Sequence, residues 1–343
     1  MSHQLLENLE ALLITNPTNI RYLTGFAGVS EKEREAYLLL TGQKRYLLTS
    51  SLYRQSVRLT NCTFIELSIE KRFATQLAAL VRRGRLGFEE KNLTVAEFEK
   101  LQKELPTVSL EGTTDRVETL RQIKRPDEIA DIKAACRIGD ECFTFIIKEI
   151  KPGVTESEIA WKIESFIRKK GTQVSFAPIV AFGPNSSMPH YSPSDDCRLK
   201  TDDVLLLDFG ARVNGYCSDM TRVMFIGKPK ATWMRAYESV LRAQNEAIRA
   251  ILKGERSGAK LDAIARRRVS YPHGLGHNVG LDIHESPRLS IKKDAMLKPG
   301  MVFSVEPGIY LPGRYGIRIE DLVHLTEDGA EILTKAPKEI LCL

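Results

Sequence analysis

The chain has 343 residues, 43% hydrophobic and 27% charged, the mixture of a globular protein and not of a disordered or fibrous one. A net charge of +6, with basic runs no longer than Arg82-Arg83-Gly84-Arg85, Lys124-Arg125 and Arg266-Arg267-Arg268, predicts no nucleic-acid partner. No apolar stretch of ~18 residues predicts a membrane span. Residues 1–10 lack a secretory pattern and the six cysteines form no Cys-x-x-Cys pair, so a cytoplasmic protein with reduced thiols is expected.

The first part of the chain, up to about residue 115, reads as short strands alternating with helices. Ala11-Leu12-Leu13-Ile14, bounded by Asn16-Pro17, is a buried strand, and residues 36–40 and 46–48 are two more. Residues 73–82 carry helical spacing, with Leu77, Leu80 and Val81 on one side. Carboxylates are dispersed here and His3 is the one histidine, so no catalytic cluster is expected. Pro126, followed by Asp127 and Glu128, opens a helix, and Pro152-Gly153 stops it. Thr155-Glu156-Ser157-Glu158 is a capping box that starts the next helix, and Gly171 follows its end. These signals predict a small N-terminal α/β domain over 1–118 and a larger α/β (α+β) domain over 119–343.

The larger domain reads as a duplication. Helices over about 127–150 and 156–170 precede strands near 204–209 and 217–225; helices over about 232–253 and 260–268 precede strands near 301–306 and 317–325. Each unit carries two acids on its strands. Asp208 stands 98 positions before Glu306, and Asp219 stands 101 before Glu320.

The apolar run Val204-Leu205-Leu206-Leu207 leads straight into Asp208. A buried carboxylate costs several kcal/mol unless it is paired or coordinates a metal. Asn214-Gly215 is a strong hairpin signal. A turn there pairs Val213 with Tyr216 and sets Asp208 opposite Thr221, with Asp219 as its diagonal neighbour at ~7–8 Å. One cation, or a pair ~3.5–4 Å apart, fits between such carboxylates. Further on, His273, His277 and His284 fall within twelve residues of a chain that has six histidines. Gly274 and Gly276 argue against a zinc-binding helix between the first two, and allow close approach of the backbone instead. Glu306 and Glu320 sit among apolar strand residues, the alternative for Glu320 being an ion pair with Arg318. His190 lies in a loop-like stretch.

The ordered set Asp208, Asp219, His277, Glu306 and Glu320 resembles the ligand set of the pita-bread metallopeptidases, which include methionine aminopeptidase, aminopeptidase P and prolidase. Asn19-Ile20-Arg21-Tyr22-Leu23-Thr24-Gly25-Phe26 resembles the N-terminal domain of the Xaa-Pro peptidase branch. The resemblance implies a pseudo-duplicated pita-bread catalytic domain holding two divalent metal ions, Mn²⁺ or Co²⁺ first, then Fe²⁺ or Zn²⁺. Asp219 and Glu320 would bridge them, Asp208 would complete one site, and His277 and Glu306 the other. It also implies metal-assisted hydrolysis of Xaa-Pro bonds, with Glu306 as proton shuttle and His190 and His284 binding substrate and stabilising the oxyanion. His273 would be an accessory pocket residue, and Arg288 would bind a dipeptide carboxylate through its bidentate fork. The function expected is that of an Xaa-Pro dipeptidase acting on proline-containing peptides. The alternatives are an aminopeptidase P-like enzyme on longer peptides, a non-catalytic pita-bread protein that binds peptides or proteins, and, disfavoured by the intact ligand set, a creatinase-like amidinohydrolase. A homodimer is expected from the same resemblance.

Two departures stand out. Asn278 follows the metal histidine where glycine is usual, and the connection before His273 is several residues shorter than in the family.

Overall fold

The computed structural model describes residues 2–28, 34–58 and 60–343, with side chains from Gln4 onward. The chain divides into two compact units, Met1–Arg121 and Gln122–Leu343. Among the described residues no helix is long and apolar enough to cross a membrane. All six cysteines are free thiols.

The first unit is built on a six-stranded sheet. Its strands are β1 (Ala11–Ile14), β2 (Ala36–Thr41), β3 (Arg45–Ser50), β4 (Thr63–Leu67), β5 (Gly84–Glu89) and β6 (Val108–Thr113), in the order β4-β3-β2-β1-β5-β6. The apolar run of β1 is buried throughout, as befits a central strand with both faces covered. Around the sheet lie α1 (Ser2–Leu6), α2 (Pro17–Thr24), α3 (Arg54–Val57), α4 (Phe73–Leu80), α5 (Val95–Glu104) and α6 (Arg116–Arg121). Asn16 caps α2 by accepting the N–H groups of Thr18 and Asn19. Gly25 ends that helix at φ 76, a left-handed angle that suits glycine.

The second unit begins with α7 (Pro126–Ile146) and α8 (Glu156–Lys169), followed by β7 (Gln173–Val174), β8 (Ile179–Phe182), β9 (Asp203–Phe209), β10 (Ala211–Val213), β11 (Tyr216–Cys217) and β12 (Met220–Ile226). The pattern then recurs. Helices α9 (Ala231–Leu252) and α10 (Gly258–Arg266) precede β13 (Gly276–Asn278), β14 (Glu285–Leu289), β15 (Val302–Val305), β16 (Gly308–Leu311), β17 (Tyr315–Arg318), β18 (Asp321–Thr326) and β19 (Gly329–Ile332). The helix-helix-strand-strand duplication expected from the sequence is therefore present.

Strand alternation sorts the core into two faces. Leu205, Leu207 and Phe209 of β9 pack with the apolar side of α7 and α8. Val204 and Leu206 face the other way, into the cluster shared with α9 and the C-terminal strands. Asp208 follows the second set. Truncating a buried leucine such as Leu207 to alanine costs about 2–5 kcal/mol.

The Asn214-Gly215 turn forms with φ values of 48 and 91, the left-handed pair that a two-residue hairpin requires. Val213 pairs with Tyr216, and Asp208 stands opposite Thr221, the register expected. The hairpin does not run straight. It breaks at Ser218-Asp219, so that β11 and β12 lie in different sheets. The strand expected over 317–325 breaks in the same way at Ile319-Glu320, between β17 and β18. In both halves an acid occupies the break.

Candidate metal centre

The two breaks aim two acids inward. Asp219 directly precedes β12 and Glu320 directly precedes β18. Val305 pairs with Asp321, so Glu306 and Glu320 stand together just beyond that ladder. The halves are joined at this point. Thr221 Oγ1 donates to Glu320 Oε2 at 2.7 Å, and Glu320 N–H donates to the Thr221 carbonyl at 3.2 Å. Gln244, fully buried on α9, donates to the carbonyls of Val305 and Ile319, the residues immediately before Glu306 and Glu320.

One ligand atom each from Asp219, His277 and Glu320 lies within 4.8 Å of the other two. His277 Nε2 is 3.8 Å from Asp219 Oδ2 and 3.3 Å from Glu306 Oε1. The other ring nitrogen, Nδ1, donates to the Asn278 carbonyl at 3.1 Å, so Nε2 is the nitrogen turned towards the two carboxylates. Ser304 Oγ accepts the His277 N–H and donates to Glu306 Oε1, fixing one residue against the other.

Asp208 is shared. Arg318 donates to its Oδ2, while Oδ1 is buried without a hydrogen-bond partner among the described residues. Glu320 Oε1 is orphaned in the same manner. Burial, with the neighbouring carboxylates, pushes Asp219 and Glu320 well above the usual carboxylate range. Burial also raises Asp208 against the pull of Arg318. Glu306 goes the other way: burial opposes it, yet His277, His273 and Arg318 hold it down to about 2. Two orphaned buried oxygens, the Nε2 of one imidazole and crowded carboxylates make an oxygen-rich donor set that fits divalent cations.

A cavity of about 440 Å³ opens over these side chains, a size suited to a small ligand. His190, His273, His284 and Arg288, each singled out in the sequence, all line it. Burial and the nearby His277 lower His284 to about 4, so it is neutral at pH 7. His273 Nδ1 donates to the Gly274 carbonyl at 2.8 Å, and its Nε2 accepts from Tyr310 Oη at 3.0 Å. Tyr310 Oη in turn accepts from Arg318 at 2.9 Å, and Arg318 Nε donates to Thr221 Oγ1 at 2.9 Å.

Arg318 and Tyr310 belong to this centre, and sequence reasoning missed both. The sequence offered Arg318 to Glu320; the structure gives it to Asp208. Arg318 stands two residues before Glu320, but the strand breaks between them, so strand alternation does not put the two on one face.

Neither departure disrupts the local fold around His277. Asn278 has no left-handed backbone angle and sits inside β13, so glycine is not required there. The short connection is held by α10: Arg266 donates to the carbonyls of Tyr271 and His273, and Tyr271 Oη donates to buried Asp262 at 2.7 Å.

Comparison with known proteins agrees with this geometry. The model of metallopeptidase family M24 matches residues 130–327, and that of the creatinase/prolidase N-terminal domain matches 6–123. The chain belongs to metallopeptidase family M24. It is 34% identical to the Xaa-Pro dipeptidase of Pyrococcus furiosus, over 97% of this chain and 96% of that one. Among solved structures, an Xaa-Pro dipeptidase from Bacillus anthracis superposes with a TM-score of 0.92 at 32% identity, covering 100% of this chain and 99% of that one. An X-Pro aminopeptidase from Thermotoga maritima gives 0.89 at 34% identity, with the same coverage. This M24 protein is thus a peptidase of a divalent-metal family, with the N-terminal domain followed by the pita-bread domain that the sequence led us to expect.

Proposed function

We propose that this M24 protein hydrolyses the Xaa-Pro bond of dipeptides, with Asp208, Asp219, His277, Glu306 and Glu320 as the ligands of two divalent cations. The observation that carries the reading is the convergence of these five side chains under one cavity whose rim bears Arg288. When bound, two dications supply Lewis acidity, polarising the scissile carbonyl and acidifying a water. Mn²⁺ or Co²⁺ suits the oxygen-rich donors, ahead of Fe²⁺ or Zn²⁺.

The side chains supply the rest. Glu306 takes a proton at Oε1, beside Ser304, and passes it to the leaving imino nitrogen. His284, neutral at pH 7, donates a hydrogen bond to the oxygen on which negative charge develops, and His190 binds from the opposite loop. His273 shapes the pocket and ties it to Tyr310. Arg288 receives the substrate carboxylate in bidentate fashion. Arg318 alters the charge balance that the five ligands alone would give. Four carboxylates and one guanidinium sum to three negative charges, which two dications exceed by one, so the loaded site favours an anionic ligand.

An aminopeptidase on longer peptides is the second reading, because the Thermotoga maritima aminopeptidase is as similar in sequence as the dipeptidases. A cytoplasmic location is supported by the free thiols, and a homodimer by the family resemblance. The test is hydrolysis of an Xaa-Pro dipeptide beside an Xaa-Pro-Xaa tripeptide, with Mn²⁺ returned to metal-stripped protein. Metal-dependent cleavage of the dipeptide is expected. Cleavage of the tripeptide alone moves the protein to the aminopeptidase class, and no turnover of either defeats both readings.

A further inference from the structure

The loop that bears His190 runs from the end of β8 towards β9 and has no regular structure beyond one 3₁₀ turn over Gly183–Ser187. A loop of this kind holds a side chain in place only if something else fixes its backbone. Here one side chain gathers four of the anchoring bonds. Glu156, at the first position of α8, is fully buried. Its Oε1 accepts the Phe182 N–H at 2.7 Å and the Asn185 Nδ2 at 3.0 Å. Its Oε2 accepts Tyr191 Oη at 2.7 Å and the Ser194 N–H at 3.2 Å. The four donors come from both feet of one arch, and His190 lies between them. Asn185 Nδ2 also reaches Tyr191 Oη at 2.8 Å, closing the arch on itself.

The other side of the arch is docked as well. Gly316 N–H donates to Ser186 Oγ at 2.8 Å, and a Cβ at Gly316 would meet the Ser186 carbonyl at 1.9 Å. His190 itself is exposed and faces the cavity, so its placement follows from its neighbours' anchors. α8 takes no other part in the centre, and nothing in the chemistry of hydrolysis requires a carboxylate at 156.

We propose that Glu156 is a positioning residue for hydrolysis, clamping residues 182–194 so that His190 is presented to the substrate. This rests on the reading of His190 given above. Glu156→Gln keeps the shape but replaces one acceptor oxygen with an NH₂ donor. Whichever way the amide turns, a backbone N–H of the arch, that of Phe182 or of Ser194, loses its acceptor. Tyr191→Phe, a milder variant, removes one of the four donors.

The test combines hydrogen exchange with a double-mutant cycle on the manganese-loaded protein, using Ala-Pro as substrate. In Glu156→Gln, backbone exchange should rise across 183–194 while the body of α8 and β9 stay protected. Its kcat/KM should fall by about tenfold, as misplacement of a contact group does. The same substitution in a His190→Ala background should cost less than about twofold, because the group being positioned is gone. Tyr191→Phe should shift both readouts in the same direction by less. Unchanged exchange in 183–194 overturns the proposal, and so does an equal loss in both backgrounds. Full activity in His190→Ala alone overturns the role of His190 and this proposal together. A lost rate in His190→Ala with unchanged exchange in Glu156→Gln overturns this proposal and leaves that role standing.

Discussion

Arg318 occupies one oxygen of Asp208 and leaves the other bare. The guanidinium reaches Thr221 and Tyr310 at the same time, so it orients the carboxylate by a planar fork that a lysine cannot copy. Arg318→Lys is therefore expected to lower metal affinity or kcat/KM by about 10- to 100-fold, as loss of a ligand's outer partner does. Metal titration of the stripped variant, followed by its rate at saturating Mn²⁺, separates the two effects. Wild-type values for both would show that charge alone suffices.

Arg288 stands on the rim, exposed, on β14 opposite His277. A charged hydrogen bond to a substrate carboxylate contributes about 1.5–3 kcal/mol. Arg288→Ala should raise KM for an Xaa-Pro dipeptide by about 10- to 150-fold and change that for an Xaa-Pro-Xaa tripeptide much less. Equal effects on the two substrates would remove Arg288 from carboxylate recognition.

The crowded acids make the metal-free protein sensitive to pH. Unfolded, Asp208 and Asp219 titrate near 3.8 and Glu320 near 4.5, whereas in the folded chain all three are raised. The folded state then holds protons that the unfolded state has released, so stability falls as pH rises above about 4 through the raised values. Glu306, held at about 2, works in the opposite sense, but its contribution is complete once the pH passes 4.5. Melting of stripped protein should show Tm falling as pH rises through the raised values, most clearly above 6.5, where the lowered imidazoles of His273 and His284 no longer work in the opposite sense. The gain in Tm on adding Mn²⁺ should be larger at the upper end. A gain that shrinks with rising pH would contradict the assignment of these acids.

Asp321 is a neighbour of the centre with a structural task. It is fully buried and accepts from Arg222, Thr334 and Lys338. Burial alone would raise its pKa, but Arg222 and Lys338 outweigh that and hold it below the usual range. Asp321→Asn strands the Arg222 charge in the core and should cost about 3–5 kcal/mol in urea unfolding. Because the native pKa is depressed, the wild-type contribution is full above 3.8 and disappears as pH falls through the native value. The gap between variant and wild type should therefore narrow in acid.

Much of this was legible beforehand, and the reasons are local. The hairpin register at Asp208 and Thr221 follows from Asn214-Gly215, because a two-residue turn leaves no freedom in pairing. The duplication follows from the offsets between the acids. The strand breaks before Asp219 and Glu320 were not legible, since a run of apolar residues looks the same whether it stays in one sheet or changes sheets. Arg318, Tyr310 and Gln244 were hidden for another reason. Gln244 and Arg318 act across more than sixty positions of sequence and Tyr310 reaches His273 across 37, and pairwise meaning at such range comes only from the fold.

The broken strands also bear on how the protein is made. Asp208 and Asp219 emerge from the ribosome about a hundred residues ahead of Glu306 and Glu320. At roughly 5–20 residues per second the first pair waits some seconds without the second. The proposed cage stays incomplete until Glu320 arrives and Thr221 can reach it. On the proposed ligand set, loading thus waits until the second pair of acids has been made.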